Sequence, residues 1–208
     1  MQITPLFSVF SLVILIMSAA VHEVAHGWMA DSLGDPTAKY QGRLTLNPLK
    51  HIDPWGSVVV PVLFYLASGG AIGFGWAKPV PYNPYNLRDQ RWGELKVALA
   101  GPAVNFILAA LGSIVIRAVV AGGVQNEALI LALAAIVTVN LVLGLFNLIP
   151  LPPLDGSKIL YAFLPFKYYA FRQNLEYIGP IFLLVIIFFL WPVISPIIGA
   201  LFGLFTGL

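Results

Sequence analysis

His22 and His26 stand four residues apart with Glu23 between them, in the run His22-Glu23-Val24-Ala25-His26. On an α-helix that spacing puts both imidazoles on one face, about 6 Å apart along the axis, where they can share one zinc ion. Glu23 then lies beside the metal, placed to take a proton from a water the metal acidifies and to pass it to a leaving amine. That is metal-assisted hydrolysis. With three His and four Glu in 208 residues, chance supplies such a pattern in about one chain in a thousand. A catalytic zinc takes three protein ligands, and the chain has no cysteine, so the third must be His, Asp or Glu. His51, Asp31, Asp35 and Asp53 fall in a polar loop, where His51 reads as a solvated histidine, and Glu94, Glu127 and Glu176 sit at the ends of apolar runs. Asp155 is placed differently, at the end of Asn147-Leu148-Ile149-Pro150-Leu151-Pro152-Pro153-Leu154-Asp155-Gly156. Prolines end the preceding helix and leave this carboxylate on irregular backbone. At membrane depth such backbone is tolerated only where it is buried in protein or lines a cavity, which suits a metal site.

The elements that carry these residues must be read against lipid. The chain is 59% hydrophobic and only 10% charged, with a mean hydropathy of +0.89, which excludes an ordinary soluble domain. A net charge of +2 without any basic run excludes a nucleic-acid footprint. Leu6 to Val21 is apolar, lacks the basic residues that open a signal peptide, and reads as a retained span. Its sixteen residues cover about 24 Å, so the helix must continue through His22 and His26 to cross a core of roughly 30 Å. Ionisable groups at that depth are a functional signal in themselves.

Leu95 to Ile116 and Ala128 to Ile149 are long enough to span. The tail from Ile178 to Leu208 contains Pro180, Pro192 and Pro196, which predicts either one span with a further embedded piece or two short helices. Gly199, Gly203 and Gly207 give the tail a smooth face suited to packing within the chain, or to a homodimer. Gly56 to Gly75 is apolar but broken by Pro61 and four glycines, and is predicted to be re-entrant. Gly42 to Pro48 alternates like a short strand, and the prolines of Trp76 to Pro84 favour an extended edge segment. The expectation is an all-α polytopic membrane protein with about four to six membrane segments and a re-entrant or β-like segment next to the active site. Residues 1–208 read as one integral-membrane metalloprotease domain, its core about residues 6–156, with the C-terminal segment or segments at residues 178–208.

His22-Glu23-Val24-Ala25-His26 in the first span, together with Asn147 to Gly156 after a later one, resembles the site-2 protease family of intramembrane zinc metalloproteases, peptidase family M50. The resemblance extends through Gly101-Pro102-Ala103-Val104-Asn105 and the stretch Phe74 to Pro81, as in the short prokaryotic members that have no PDZ or CBS domain. It implies that His22, His26 and Asp155 ligate zinc and that Glu23 is the general base. It further implies that Asn147 orients the scissile peptide or stabilises its oxyanion, with Asn105 a polar support close to the substrate. Asn140, seven residues before Asn147, is assigned to helix packing. The segment that holds Val80 and Tyr82 is expected to pair with an unwound substrate by strand addition.

The function implied is an intramembrane zinc endopeptidase that cuts peptide bonds in or near transmembrane segments of protein substrates. Membrane lipid surrounds it, and a second copy or a regulatory membrane partner is a further expectation. The rival class is a transporter or ion-handling protein, since intramembrane His, Asp and Glu also mark ion paths. A transport path would spread such residues over several spans, whereas here they converge on one turn and one Asp. A prenyl-protein-type protease would need a glutamate as third ligand, and none lies in a matching apolar helix. The re-entrant reading puts Lys39, Arg43, Lys50, Lys78, Arg88, Arg91, Lys96, Lys158, Lys167 and Arg172 on one side, with Arg117 alone opposite. By the positive-inside rule that places the active site of a multi-pass protein of a prokaryotic cell membrane toward the cytoplasm.

Overall fold

A computed structural model describes residues 5–59, 62, 77–165 and 168–208. Among these residues all regular structure is helical, and there is no strand. The helices are α1 (Pro5–Ser32), α2 (Thr37–Tyr40), α3 (Gly93–Ala121), α4 (Glu127–Asn147), α5 (Asp155–Phe163) and α6 (Tyr169–Thr206). Among the described residues, four stretches are long and apolar enough to cross a membrane: Val9–Ser32, Gly93–Ala121, Glu127–Asn147 and Phe189–Thr206. α1 continues without a break through both histidines, as the span length requires. It stops where Gly34 takes a φ of +108°, a conformation open to glycine and costly for other residues.

The short strand expected at Gly42 to Pro48 does not form. Gly42 turns the chain at a φ of +61°, the Arg43 N–H returns to Ala38 O, and the Asn47 side chain accepts from the Leu49 N–H to start a 3-10 turn. Alternating polarity here had no partner strand to serve. The re-entrant expectation for Gly56 to Gly75 lies largely outside the described residues. Of the two forms expected of the tail, two short helices do not form: α6 runs as one helix past Pro180, Pro192 and Pro196 and carries, among the described residues, a single candidate span, Phe189–Thr206. Each proline removes one backbone donor, but lipid penalises unpaired backbone so strongly that the rest of the ladder holds.

α3 and α4 run antiparallel, with Ala109, Ile116, Val137, Leu141 and Ile198 buried together between α3, α4 and α6. Small residues bring the backbones close: a Cβ on Gly112 would stand 3.0 Å from Val137, and one on Gly144 would stand 3.1 Å from Phe106. α1 packs across both, antiparallel to α3, while Val9, Leu12, Val13 and Leu15 stay exposed, as a lipid-facing side must. Arg117 near the end of α3 donates to Phe205 O and Leu204 O, at 2.6 and 2.7 Å, and so closes the C-terminus of α6. Among the described residues, Gly199, Gly203 and Gly207 do not make the intramolecular packing face expected of them; the close approach of this helix is at Gly179, where a Cβ would stand 2.7 Å from Pro152 O. No described atom lies within 4 Å of a Cβ built on Gly199, and Gly207 is the left-handed residue that ends the helix.

Candidate metal centre

α1 delivers His22 and His26 on one face, one turn apart, with ring centroids 4.6 Å from each other. Asp155 arrives from the far end of the sequence as the first residue of α5, where a carboxylate suits the helix N-terminus. Its approach depends on Gly156, since a Cβ there would overlap the carbonyl oxygens of Ile149 and Leu148. The Nε2 atoms of the two histidines are 3.0 Å apart, and each is 3.1 Å from Asp155 Oδ2. All three residues are buried.

This triangle fits a metal. Nitrogen and oxygen ligands about 2.0–2.1 Å from a tetrahedral zinc stand about 3.3 Å from one another. The electronic character of the atoms agrees with their spacing. His26 Nδ1 is 2.7 Å from Val97 O, a carbonyl that can only accept, so the ring proton sits on Nδ1 and Nε2 presents a lone pair. His22 Nδ1 likewise faces Asn105 Oδ1, at 2.5 Å. Lone pairs therefore converge from three sides, an arrangement that calls for a cation at their centre. Room for the ion comes from Gly101 on α3: a Cβ there would stand 2.5 Å from His22 Nε2 and closer still to His26 Nε2. Pro102 follows at once, and as a proline it leaves Ala98 O without its helical donor in the turn from which Val97 reaches His26.

Glu23 accepts the Val80 N–H at Oε2, at 2.8 Å. That bond fixes the loop of residues 77–83 over the site, and others secure it. Arg43 donates to Lys78 O and Pro79 O, His51 O accepts from the Lys78 N–H, and Asp35 accepts from the Asn83 N–H. His51 is thus no solvated residue: it is buried, with Nε2 2.8 Å from Thr45 O. Asp35 is fully buried, and burial works against its charge. The hydroxyl of Thr37, the Asn86 amide and the N–H groups of Asn83 and Thr37 outweigh that and hold its pKa below the usual carboxylate value. Asp31 pairs with Lys39.

Of the residues singled out in the sequence, the structure gathers His22, His26, Asp155, Asn105, Glu23 and Val80. Val80 contributes its backbone, while its side chain is buried at Gly27, where a Cβ would come within 2.8 Å of it. Asn147 donates from Nδ2 to Leu143 O of its own helix, at 3.0 Å. Tyr82 packs against the cluster of Ala30, Leu87 and Val97, and Lys158 Nζ stands 5.0 Å from its ring centre. Burial weakens the Lys158 ammonium, but Tyr82 and Asp155 outweigh it and raise the pKa above the ordinary lysine value. Lys158 was not singled out, although its position three residues after Asp155, on the same helix face, is a readable signal. Asn140, assigned to helix packing, bonds across helices as that reading expects, accepting from Asn105 Nδ2 at 2.9 Å.

Comparison with known proteins agrees with this chemistry. The family model described as peptidase family M50 matches residues 10–129 and 112–190. YwhC of Bacillus subtilis is 36% identical over 210 residues, a match covering 96% of this chain and 92% of that protein. Rip2 of Mycolicibacterium smegmatis is 34% identical over 154 residues, covering 73% of this chain and 57% of Rip2. MJ0392 of Methanocaldococcus jannaschii is 38% identical over 76 residues, covering 36% of this chain and 21% of its own length. The names of all three contain the words zinc metalloprotease. No solved structure gives a significant match.

Proposed function

The chain belongs to peptidase family M50 and is a zinc metalloprotease with the helices of a multi-pass membrane protein, and from that premise we propose that it is an intramembrane endopeptidase. Its substrates are membrane proteins, cut within or next to a transmembrane segment, and residues 1–208 work as one domain. His22, His26 and Asp155 hold the zinc. The observation that carries the assignment is the triangle of lone-pair atoms at 3.0–3.1 Å. Zinc supplies Lewis acidity, which polarises the scissile carbonyl and makes a water nucleophilic near neutral pH.

Glu23 handles the proton. Val80 holds Oε2, and among the described residues Oε1 has no partner, so Oε1 takes the proton from the attacking water and delivers it to the leaving nitrogen. The amide of Asn147 turns from Leu143 O to the developing oxyanion, and Asn105 supports the centre from behind His22. A helical substrate must be opened before attack, because its carbonyls are hydrogen-bonded and shielded. The loop with Val80 and Tyr82 receives the opened strand, using backbone groups beyond those at Lys78, Val80 and Asn83 that already bind His51, Glu23 and Asp35.

We place the active site toward the cytoplasm and Gly56 to Gly75 as re-entrant. His26 binding Val97 O sets the end of α1 beside the start of α3. The chain between them therefore leaves and returns on one side, which a single crossing would not allow.

Purified protein is expected to carry one zinc, measured by atomic emission. His22→Ala and Asp155→Ala should lose most of it, whereas Glu23→Gln should keep it and lose cleavage of a transmembrane substrate, because only the base is gone. Full zinc retention in Asp155→Ala would overturn the ligand assignment.

A further inference from the structure

Three buried polar side chains stand in file behind His22. His22 Nδ1 faces Asn105 Oδ1, at 2.5 Å; Asn105 Nδ2 donates to Asn140 Oδ1, at 2.9 Å; and Asn140 Nδ2 donates to Ser18 Oγ and to Ile136 O, at 3.0 and 2.9 Å. The two ends of an amide have the same shape, so its sense is set only by a partner that can act in one way. The Ile136 carbonyl is such a partner, for it can only accept. It fixes Nδ2 of Asn140 toward itself and Oδ1 toward Asn105. Asn105 must then donate to Asn140 and turn its own oxygen to His22. His22 consequently carries its proton on Nδ1 and its lone pair on Nε2.

We infer that Asn140, helped by Ser18, is a positioning residue for the metal: it fixes the tautomer of His22 through Asn105. This inference rests on His22 being a zinc ligand. Without the Asn140 acceptor the Asn105 amide is free to turn and present its N–H to Nδ1. The imidazole proton then moves to Nε2, the atom that faces His26 and Asp155, and a protonated Nε2 cannot ligate. His26 is anchored separately on Val97 O, so the file governs one histidine of the two.

The chain has only three histidines, so the zinc-free protein with 15N-labelled histidine gives a readable imidazole spectrum. His22→Gln and His51→Gln assign it. In Asn140→Ser the hydroxyl returns to the carbonyl one turn back, as Ser113 does to Ala109 O at 2.7 Å, and the acceptor is withdrawn from Asn105. The His22 proton should shift toward Nε2, the His26 signals should stay in place, and the zinc Kd from chelator competition should rise about 10- to 100-fold. Adding Asn105→Asp supplies an oxygen in either sense. The double variant should regain the Nδ1 proton and a zinc Kd within about threefold of Asn105→Asp alone.

The inference is overturned if Asn140→Ser leaves the His22 tautomer and the zinc Kd unchanged. It is also overturned if the double variant is no better than Asn140→Ser, or if His26 moves and stays displaced in both, since either marks a packing role. If His22→Ala binds zinc as tightly as wild type, the metal reading itself fails, whatever Asn140 does.

Discussion

Gly101 takes part in the site by what it lacks. A methyl group there would occupy the space between the two Nε2 atoms, while an alanine in mid-helix is favoured over glycine by about 1 kcal/mol. Overpacking the two buried rings costs about 1–3 kcal/mol and outweighs that gain, so Gly101→Ala is expected to abolish zinc binding and to lower the thermal stability of the zinc-free protein. Stoichiometric zinc in that variant would show that the ion sits elsewhere. The three residues of the candidate metal centre were legible in the sequence, because four-residue spacing fixes a helix face and prolines before Asp155 fix irregular backbone. Asn140 was not. Periodicity gives the face on which a residue lies but not the neighbour that crosses it, and the partner of Asn140 comes from a helix 35 residues away.

The loop of residues 77–83 is held by four residues, Glu23, Asp35, Arg43 and His51, and the hold of Asp35 depends on pH. Its pKa is lowered in the folded protein, so the stability it contributes is present above the unfolded value of about 3.9 and is lost as the pH falls through the lower, folded value. Asp35→Asn should cost about 2 kcal/mol near neutral pH. It should also flatten the fall in unfolding temperature below about pH 4, measured in detergent beside the wild type. An equal fall in both proteins would show that Asp35 is not the anchor. The sequence placed Asp35 in a polar loop and His51 in solvent, because nothing local reveals that a later segment returns to cover both. The strand expected at Gly42 to Pro48 failed for a related reason: alternation specifies a strand only where a second strand is present to pair with it.

Across the described residues, the ends of α1 and α4, the start of α3 and the start of α5 gather at one end of the helices, and Arg117 marks the other. The chain has no cysteine, so single cysteines report topology directly. The Tyr85 side chain is exposed, and Gln125 lies exposed between α3 and α4. With an impermeant maleimide on intact cells, Gln125→Cys should be labelled and Tyr85→Cys should not. Outside labelling at Tyr85→Cys would invert the proposed orientation or make Gly56 to Gly75 a crossing. That the tail stays one helix through three prolines was not legible, since each proline reads locally as a helix end and only the rest of the backbone ladder overrides it. Assembly in time follows from the 133 residues that separate His22 from Asp155. A ribosome adding about 5–20 residues per second makes Asp155 about 7 to 27 s after His22. For that interval the two imidazoles exist without the Asp155 carboxylate, so a site built on all three residues cannot be complete until α4 and the first residue of α5 have been made.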